Sequence, residues 1–240
     1  MRAQTLFVAG ATGYTGREVV RQGQAAGCRV VAHIRPESPR RTRWAAQFSS
    51  LGAEVDVTEW APDAIGATLA RVRPTHVFAL LGTTWARSRR EVAEGRGDVN
   101  YESVDYRLTR MLIDGCRRLP TPPCFLYVSS MGFGSYVPHE RYLGVRRRIE
   151  AELGRLSMPH VIVRPSFITG PDRDEFRPGE RLGAAVADRA LNVVGWLGGR
   201  KLRDRYQSLD NVALAAALLR LALDPHAQGR IVEADELRSA

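Results

Sequence analysis

Short runs of apolar residues alternate with longer segments of helical periodicity along most of the chain. The runs of strand length are residues 5–9, 29–34, 53–57, 75–81, 123–128 and 159–163. They are rich in β-branched and apolar residues, and they lack the alternation of polar and apolar positions that marks a sheet with one face in water. Strands of this kind are covered on both faces, so the pattern predicts a parallel sheet between layers of helices.

Helical periodicity predicts helices between several of these strands. The predicted helices are residues 14–26, 100–118, 141–156 and 208–223. The first ends at Gly27, and glycine commonly follows a helix because it tolerates a left-handed backbone. The second places apolar residues on one face, at Val104, Leu108, Met111, Leu112 and Cys116. The order of elements, joined by right-handed crossovers, predicts a doubly wound, mostly parallel α/β sheet of the Rossmann type.

The length of 240 residues suits one domain of this class, so we expect residues 1–240 to form a single Rossmann-type domain. Residues 165–205 are expected to contribute a small substrate-side lobe. No apolar run approaches the roughly 18 residues of a membrane span. The N-terminus runs directly into a strand without the features of a signal peptide. We therefore expect a cytoplasmic protein that does not bind membranes.

The formal net charge of +9 raises the possibility of nucleic-acid binding. However, the arginines are scattered over the chain, and their clusters at 40–43, 146–148 and 200–205 are short and lack interleaved aromatic residues. Solvated arginine faces are the favoured interpretation, and no nucleic-acid partner is expected. The 3 cysteines are in no CxxC spacing, which predicts buried thiols. The 5 histidines show no paired-ligand spacing, so no metal site is predicted.

A glycine-rich turn follows the first predicted strand and leads directly into the first predicted helix. It reads Gly10-Ala11-Thr12-Gly13-Tyr14-Thr15-Gly16. In this context Gly10 permits the tight turn, Gly13 lets the backbone approach a diphosphate, and Gly16 lets the helix pack on the strand. The helix N-terminus presents N–H groups and a positive dipole end to the phosphates. Further candidates for binding the dinucleotide are Thr12, Tyr14 and Thr15.

The end of the second strand distinguishes NADP from NAD. An NAD enzyme usually has Asp or Glu there to accept hydrogen bonds from the ribose. This strand ends at Ile34 and Arg35, and a guanidinium can pair with a 2′-phosphate. Additional positive charge follows at Arg40, Arg41 and Arg43. The sequence therefore favours NADP over NAD, although Glu37 is close enough to serve as an acceptor instead.

The third strand ends at Asp56, followed by Val57. These two residues are candidates for contacting the adenine, with Asp56 accepting a hydrogen bond from its amino group. A carboxylate that caps a loop is an equally good interpretation of Asp56.

The motifs follow one another in the order found in a known superfamily. They are the glycine-rich turn, Val55-Asp56-Val57, Leu81-Gly82-Thr83-Thr84, Ser129-Ser130, Tyr142 with Arg146, and Arg164-Pro165. In this order the chain resembles the atypical short-chain dehydrogenase/reductases. Within them it is similar to the NAD(P)H-binding members related to the human Tat-interacting protein. The segments shared with that group include Val104-Asp105, the Ser129 to Gly132 turn and Arg177-Pro178-Gly179-Glu180.

In that superfamily a Ser-Tyr-Lys set carries the proton transfer: the serine polarises the carbonyl, the tyrosine exchanges the proton, and the lysine activates the tyrosine and holds the ribose. The resemblance assigns the first two roles to Ser130 and Tyr142. Position 146 carries Arg146 in place of the lysine, four residues after the tyrosine and on the same helix face. Its guanidinium supplies a permanent charge but is larger, planar and unable to release its proton. The structural alternatives are a turn serine, a half-buried tyrosine and a solvated arginine.

Further positions follow from the resemblance and the fold. Leu81, Gly82 and Thr83 are expected beside the cofactor ribose, and Pro165 is expected near the nicotinamide amide. The loops at 82–99 and 170–180 are expected to face the ligand and to form part of a lid.

The leading hypothesis is an NADP(H)-dependent oxidoreductase or isomerase that transfers a hydride to or from a small carbonyl or alcohol substrate. The alternative is a catalytically weak NADP(H)-binding regulator that reports redox state to a protein partner. It is motivated by the arginine at position 146 and by the resemblance.

Overall fold

Parallel strands form the centre of the computed structural model, which describes residues 4–82, 100–131, 137–166, 168–169 and 209–239. The strands are β1 (Thr5–Ala9), β2 (Arg29–His33), β3 (Glu54–Asp56), β4 (His76–Ala79), β5 (Cys124–Val128), β6 (His160–Arg164), β7 (Ile168–Thr169), β8 (Leu209–Asp210) and β9 (Ile231–Glu233). Within these ranges, a sheet of 7 strands has the order β3-β2-β1-β4-β5-β6-β9. All its neighbouring strands are parallel, whereas β7 pairs with β8 alone. The strand order reverses between β1 and β4, and ligands of such sheets bind at the carboxyl ends beside this point.

Helices cover both faces of the sheet. They are α1 (Tyr14–Ala25), α2 (Arg41–Ser50), α3 (Pro62–Val72), α4 (Leu108–Arg117), α5 (Val137–Gly154), α6 (Asn211–Leu223) and α7 (Glu236–Ser239). A π-helical segment at Tyr101–Arg107 leads into α4, and a 3-10 turn at Pro225–Ala227 follows α6.

This arrangement of a sheet between two layers of helices explains why the strands are apolar on both faces. In β1, Leu6 and Val8 pack into the core that includes side chains of α1, α2 and α6. Phe7 and Ala9 point the other way, into the core that includes side chains of α3, α4 and α5. Both faces of β1 are therefore buried, which confirms the prediction of a doubly covered parallel sheet.

The predicted strands are confirmed with small differences at their ends. The largest is in β4, which ends at Ala79 although the apolar run continues to Leu81. At this point the backbone leaves the sheet and passes over Gly10, and the carbonyl oxygen of Leu81 accepts a hydrogen bond from Arg146. The first four residues of α5 lie before the predicted helix start at 141.

The sequence does not predict seven of the described elements: α2, α3, α7, β7, β8, β9 and the 3-10 turn. Strand β8 lies at Leu209–Asp210, inside the helix predicted at 208–223, so that helix begins only at Asn211. In α2 only Trp44 and Phe48 are buried, so its sequence carries little apolar periodicity. Strand β9 has 3 residues, too few for a pattern. The 3 cysteines are free and buried as predicted, and burial raises the pKa of Cys124 to about 11. No helix in the described ranges has the length and apolarity needed to cross a membrane.

Candidate active site

The glycine-rich turn lies between the carboxyl end of β1 and the start of α1. Gly10 has a φ of +86°, which side chains rarely allow, and a Cβ there would lie 2.4 Å from the carbonyl oxygen of Leu80. A Cβ on Gly16 would lie 2.1 Å from the carbonyl oxygen of Gly10. The turn is closed by a hydrogen bond of 2.9 Å from the Gly13 amide to that same oxygen. Both positions therefore require glycine for the reasons that the sequence predicts.

The amino end of α1 is open to an anion. Gly13 is the N-cap and is exposed, no side chain caps the helix, and its first turn carries no acidic residue. The first N–H groups of a helix have no partner within it, and they face outward with the positive end of the dipole. Thr12, Tyr14 and Thr15 are half-buried around this end.

Asn211, at the start of α6, contacts this turn, and no motif in the sequence indicates that contact. Its side-chain amide donates a hydrogen bond of 3.2 Å to the carbonyl oxygen of Tyr14. The two residues are 197 positions apart, so only the fold brings them together.

Basic side chains lie beside the turn, at the end of β2. Ile34 is fully buried, and Arg35 is exposed. The guanidinium carbon of Arg17 lies 5.1 Å from the ring centroid of Trp44, and that of Arg43 lies 5.7 Å from the same ring. Arg17 thus joins the first turn of α1 to α2, a link that no sequence motif indicates. The exposed cluster also contains Arg40 and Arg41, and Glu37 is exposed in the same loop.

Asp56 is buried at the end of β3, and both of its carboxylate oxygens have protein partners. One accepts a 3.0 Å hydrogen bond from the amide of Thr58, and the other pairs with Arg71 at 2.9 Å. These contacts match the alternative of a loop-capping carboxylate, and contact with adenine stays a prediction. Val57 is exposed beside it, at 45%.

His33, at the end of β2, fixes the same loop. Its Nε2 lies 2.8 Å from the carbonyl oxygen of Thr58, and its ring packs edge-on against Trp60. Burial lowers the pKa of His33, which keeps the ring neutral at pH 7.

Arg146 is buried, so the alternative of a solvated arginine is wrong. Its guanidinium lies 2.5 Å from the carboxylate of Asp105 and donates to the carbonyl oxygen of Val128 at 2.7 Å. It also donates to the carbonyl oxygen of Leu81 and to the hydroxyl of Tyr127. Burial alone would lower the pKa of Arg146, but its Coulombic interactions with Tyr142, Tyr127 and Asp105 outweigh this and raise it.

Tyr142 lies one helical turn before Arg146 in α5, as its sequence spacing predicts. Its ring centroid is 5.0 Å from the guanidinium carbon of Arg146 and 5.2 Å from the ring centroid of Tyr101. Ser129 and Ser130 follow directly on β5, with Ser129 buried and Ser130 half-buried. The hydroxyl of Ser129 is buried without a partner among the described residues. Ser130, Tyr142 and Arg146 thus lie on elements that meet at the carboxyl end of the sheet.

Pro165 is buried directly after β6, and the residue before it connects three elements. Arg164 makes two hydrogen bonds to the carboxylate of Glu150 in α5, at 2.6 and 3.0 Å, and one of 2.8 Å to Glu233 in β9. One face of α5 therefore carries Tyr142, Arg146 and Glu150 at intervals of four residues.

Leu81 is half-buried and Gly82 is exposed, both after the end of β4. A Cβ on Gly82 would lie 3.1 Å from a guanidinium nitrogen of Arg146. Several predicted positions lie outside the described residues: Thr83, the rest of the loop to residue 99, the loop at 170–180, and all of the lobe at 165–205 except 165, 166, 168 and 169.

The family of the chain is decided by its match to a family model. The model of the NAD-dependent epimerase/dehydratase family matches residues 6–232. The chain belongs to this family. The match extends from β1 to β9 and includes the glycine-rich turn, Tyr142 and Arg146.

Solved structures share the fold of this epimerase/dehydratase. A short-chain dehydrogenase/reductase family oxidoreductase from Burkholderia thailandensis has 20% identity and a TM-score of 0.65, with 100% of this chain and 94% of that chain covered. A UDP-glucose 4-epimerase from Brucella ovis in complex with NAD has 15% identity and a TM-score of 0.63, with 96% and 77% covered. The search of curated proteins gave no match.

Family membership makes this epimerase/dehydratase an NAD(P)-dependent enzyme of the oxidoreductase/epimerase type, with a nicotinamide cofactor. The residues present fit such a cofactor. Gly10 and Gly16 allow the tight turn and the close packing of α1 on β1 that a dinucleotide site of this kind needs, and the amino end of α1 is uncapped. The family and the shared fold also support the short-chain dehydrogenase/reductase type of superfamily.

Proposed function

We propose that this epimerase/dehydratase uses NADP(H) to transfer a hydride to or from a small carbonyl or alcohol substrate. The observation that carries the choice of NADP(H) is the exposed Arg35, which directly follows the buried Ile34 at the end of β2. In sheets of this order, the ribose of the adenosine lies at the end of the second strand. A carboxylate is absent at positions 34 and 35, where an NAD enzyme usually carries one.

The surrounding charges support the same choice. Arg17 and Arg43 both stack on Trp44, which fixes two guanidinium groups between α1 and α2. Guanidinium groups hold phosphate through paired hydrogen bonds, which makes them well suited to recognise a 2′-phosphate. Glu37 is the exception among these charges: it is the one carboxylate in the loop between β2 and α2, and an NAD enzyme would use it as the ribose acceptor.

The chemistry falls to residues at the carboxyl ends of β4 and β5. When bound, the nicotinamide ring supplies or accepts the hydride. Tyr142 gives a proton to the substrate oxygen or takes one from it, and Ser130 donates a hydrogen bond to that oxygen. Arg146 keeps a permanent positive charge 5.0 Å from the Tyr142 ring.

A regulatory role is the second candidate. The resemblance to the group related to the Tat-interacting protein supports it, and so does the inward-facing guanidinium of Arg146, which is 5% exposed. A redox-sensing protein would bind NADP(H) without consuming it. Family membership favours the enzyme.

The test is oxidation of NADPH by the purified protein with a panel of small aldehydes and ketones. The proposal predicts turnover with at least one of them, and loss of that turnover in Tyr142→Phe. Tyr106→Phe is the matched control, because it removes a tyrosine hydroxyl that bonds to Glu152 on the outer side of α5. Binding of NADPH without turnover of any substrate would favour the regulator.

A further inference from the structure

The π-helical segment and α5 meet through two pairs of side chains with matching spacing. Tyr101 and Asp105 lie four residues apart on the segment, and Tyr142 and Arg146 lie four residues apart on α5. The tyrosine rings are 5.2 Å apart and tilted by 59°. The carboxylate and the guanidinium are 2.5 Å apart. The ring of Tyr142 therefore contacts one residue of each pair: the ring of Tyr101 and the guanidinium of Arg146.

The ion pair is isolated from water. The side chain of Asp105 is 0% exposed and that of Arg146 is 7% exposed. Both terminal nitrogens of the guanidinium are used within the protein, one on Val128 and Tyr127 and the other on Leu81 and Asp105. One accepting carbonyl belongs to Leu81, just after β4, and the other to Val128, the last residue of β5. The cation is therefore fixed against the edge of the sheet where the substrate is expected.

A buried ion pair is a poor source of stability. Removing two charges from water costs several kcal/mol per ion, and apolar side chains of similar volume often stabilise a fold as well or better. The presence of this buried ion pair is thus explained better by the side chains that it holds in place than by a contribution to the free energy of folding. Two aromatic rings lie beside the guanidinium of the pair, those of Tyr127, itself in the core, and of Tyr142.

We propose that Asp105 is a positioning residue: it holds the guanidinium of Arg146 against the ring of Tyr142 and so fixes that tyrosine at the carboxyl ends of β4 and β5. Asp105 touches neither substrate nor cofactor, and it acts through Arg146. The inference rests on the proposed function only in giving Tyr142 the role of acid and base. The packing that it describes stands without that role.

Arginine suits this task and lysine does not. The guanidinium is planar and reaches four acceptors from two nitrogens, while its face remains free for the Tyr142 ring. An ammonium group has three donors at a single point. It would leave at least one of the buried acceptors without its partner.

The experiment is NMR spectroscopy of the full chain with tyrosine labelled by ¹³C at Cζ, the Tyr142 signal being assigned by its loss in Tyr142→Phe. Asp105→Asn removes the carboxylate charge with little change in size. Glu102→Gln is the matched control, because Glu102 lies on the same segment and pairs with Arg148 of the same helix at 2.9 Å, but in solvent. Asp105→Asn is expected to move the Tyr142 signal by more than its linewidth, and Glu102→Gln is expected to leave it unchanged.

A purely structural pair would give a different pattern. Asp105→Asn would then lower the midpoint of urea unfolding while the Tyr142 signal of the folded protein stayed in place, and this result would overturn the proposal. If Asp105→Asn does not fold, Asp105→Asn/Arg146→Met removes both charges and leaves no unpaired ion in the core. An unmoved Tyr142 signal in that variant would also overturn it.

The wild-type protein supplies a check that needs no substitution. A guanidinium held by four acceptors rotates slowly, so its N–H protons give separate signals with nuclear Overhauser effects to the Tyr142 ring. Their absence would contradict the proposal even if neither variant folded. Titration of the same samples with NADP⁺ separates the two claims. A protein without affinity for NADP⁺ would refute the proposed function, whereas the behaviour of the Tyr142 signal would still decide the role of Asp105.

Discussion

Gly16 packs so closely on Gly10 that a Cβ at position 16 would lie 2.1 Å from the carbonyl oxygen of Gly10. The oxygen belongs to the turn that closes onto the Gly13 amide, and it cannot move without opening the turn. The close packing of α1 on β1 therefore depends on the absence of a single methyl group.

Gly16→Ala is expected to destabilise the protein by about 1–3 kcal/mol, the usual cost of overpacking, and to weaken dinucleotide binding because the turn must open. Urea unfolding and nucleotide titration measure the two effects. Gly144→Ala is the control: Gly144 is an exposed position in α5 where an added Cβ meets nothing within 4 Å. That substitution should stabilise by about 0.5–1 kcal/mol. Equal stability of the two variants would contradict the packing described for Gly16.

Arg35→Gln should separate the two nucleotides. Loss of a hydrogen bond from a charged group to a 2′-phosphate costs about 1.5–3 kcal/mol, so the Kd for NADP⁺ should rise by roughly 10- to 100-fold. The Kd for NAD⁺ should not change, because NAD⁺ lacks this phosphate. Arg118→Gln is the control. Arg118 follows α4 and forms an exposed ion pair with Asp63 of α3, so removing its charge should change neither Kd. A parallel loss of both affinities in Arg35→Gln would show that Arg35 does not read the phosphate.

His33 should make the protein less stable in acid. Because burial lowers its pKa in the folded state, the unfolded chain binds its proton first as the pH falls below the ordinary histidine pKa of 6.5. The contribution to stability is therefore complete above that pH and is lost progressively below it, by about 1.4 kcal/mol for each tenfold difference in proton affinity. The free energy of unfolding between pH 8 and pH 5 measures this loss. His33→Gln keeps a donor for the carbonyl of Thr58 and should show a shallower decline, whereas an unchanged slope would exclude His33 as the cause.

The sequence predicts the parts of the site that depend on local geometry. The glycine turn follows a strand and leads into a helix. Tyr142 and Arg146 have the spacing of one helix face. Both features involve residues close together in the sequence, so both can be predicted from it. The strands are predictable because both of their faces are buried.

Other parts depend on contacts between distant residues. Asp105 and Arg146 are 41 positions apart, and the run from Arg146 to Arg148 gives no sign that its first member turns inward while the next two face solvent. Arg17 and Asn211 join the site through Trp44 and Tyr14, which lie on other elements. The helix α2 escapes prediction because its two buried aromatic residues stand among polar ones.

Glu150→Gln should weaken the junction of α5, β6 and β9. Glu150 is 8% exposed and accepts two hydrogen bonds from Arg164, so its loss of charge should cost about 1.5–3 kcal/mol in the free energy of unfolding. Glu54→Gln breaks a similar two-bond pair with Arg29 at the surface and should cost about 1 kcal/mol or less. Urea denaturation of both variants makes the comparison. A larger loss in Glu54→Gln would contradict the importance assigned to Glu150.

Calorimetric titration of the wild-type protein with NADP⁺ and with NAD⁺ tests most directly whether the turn at Gly10 and the neighbouring arginines form a nucleotide site. Saturable binding of NADP⁺, tighter than that of NAD⁺ by about tenfold or more, is the expected result. Equal affinities would contradict recognition of the phosphate by Arg35. Absence of measurable affinity for either nucleotide would contradict the site itself.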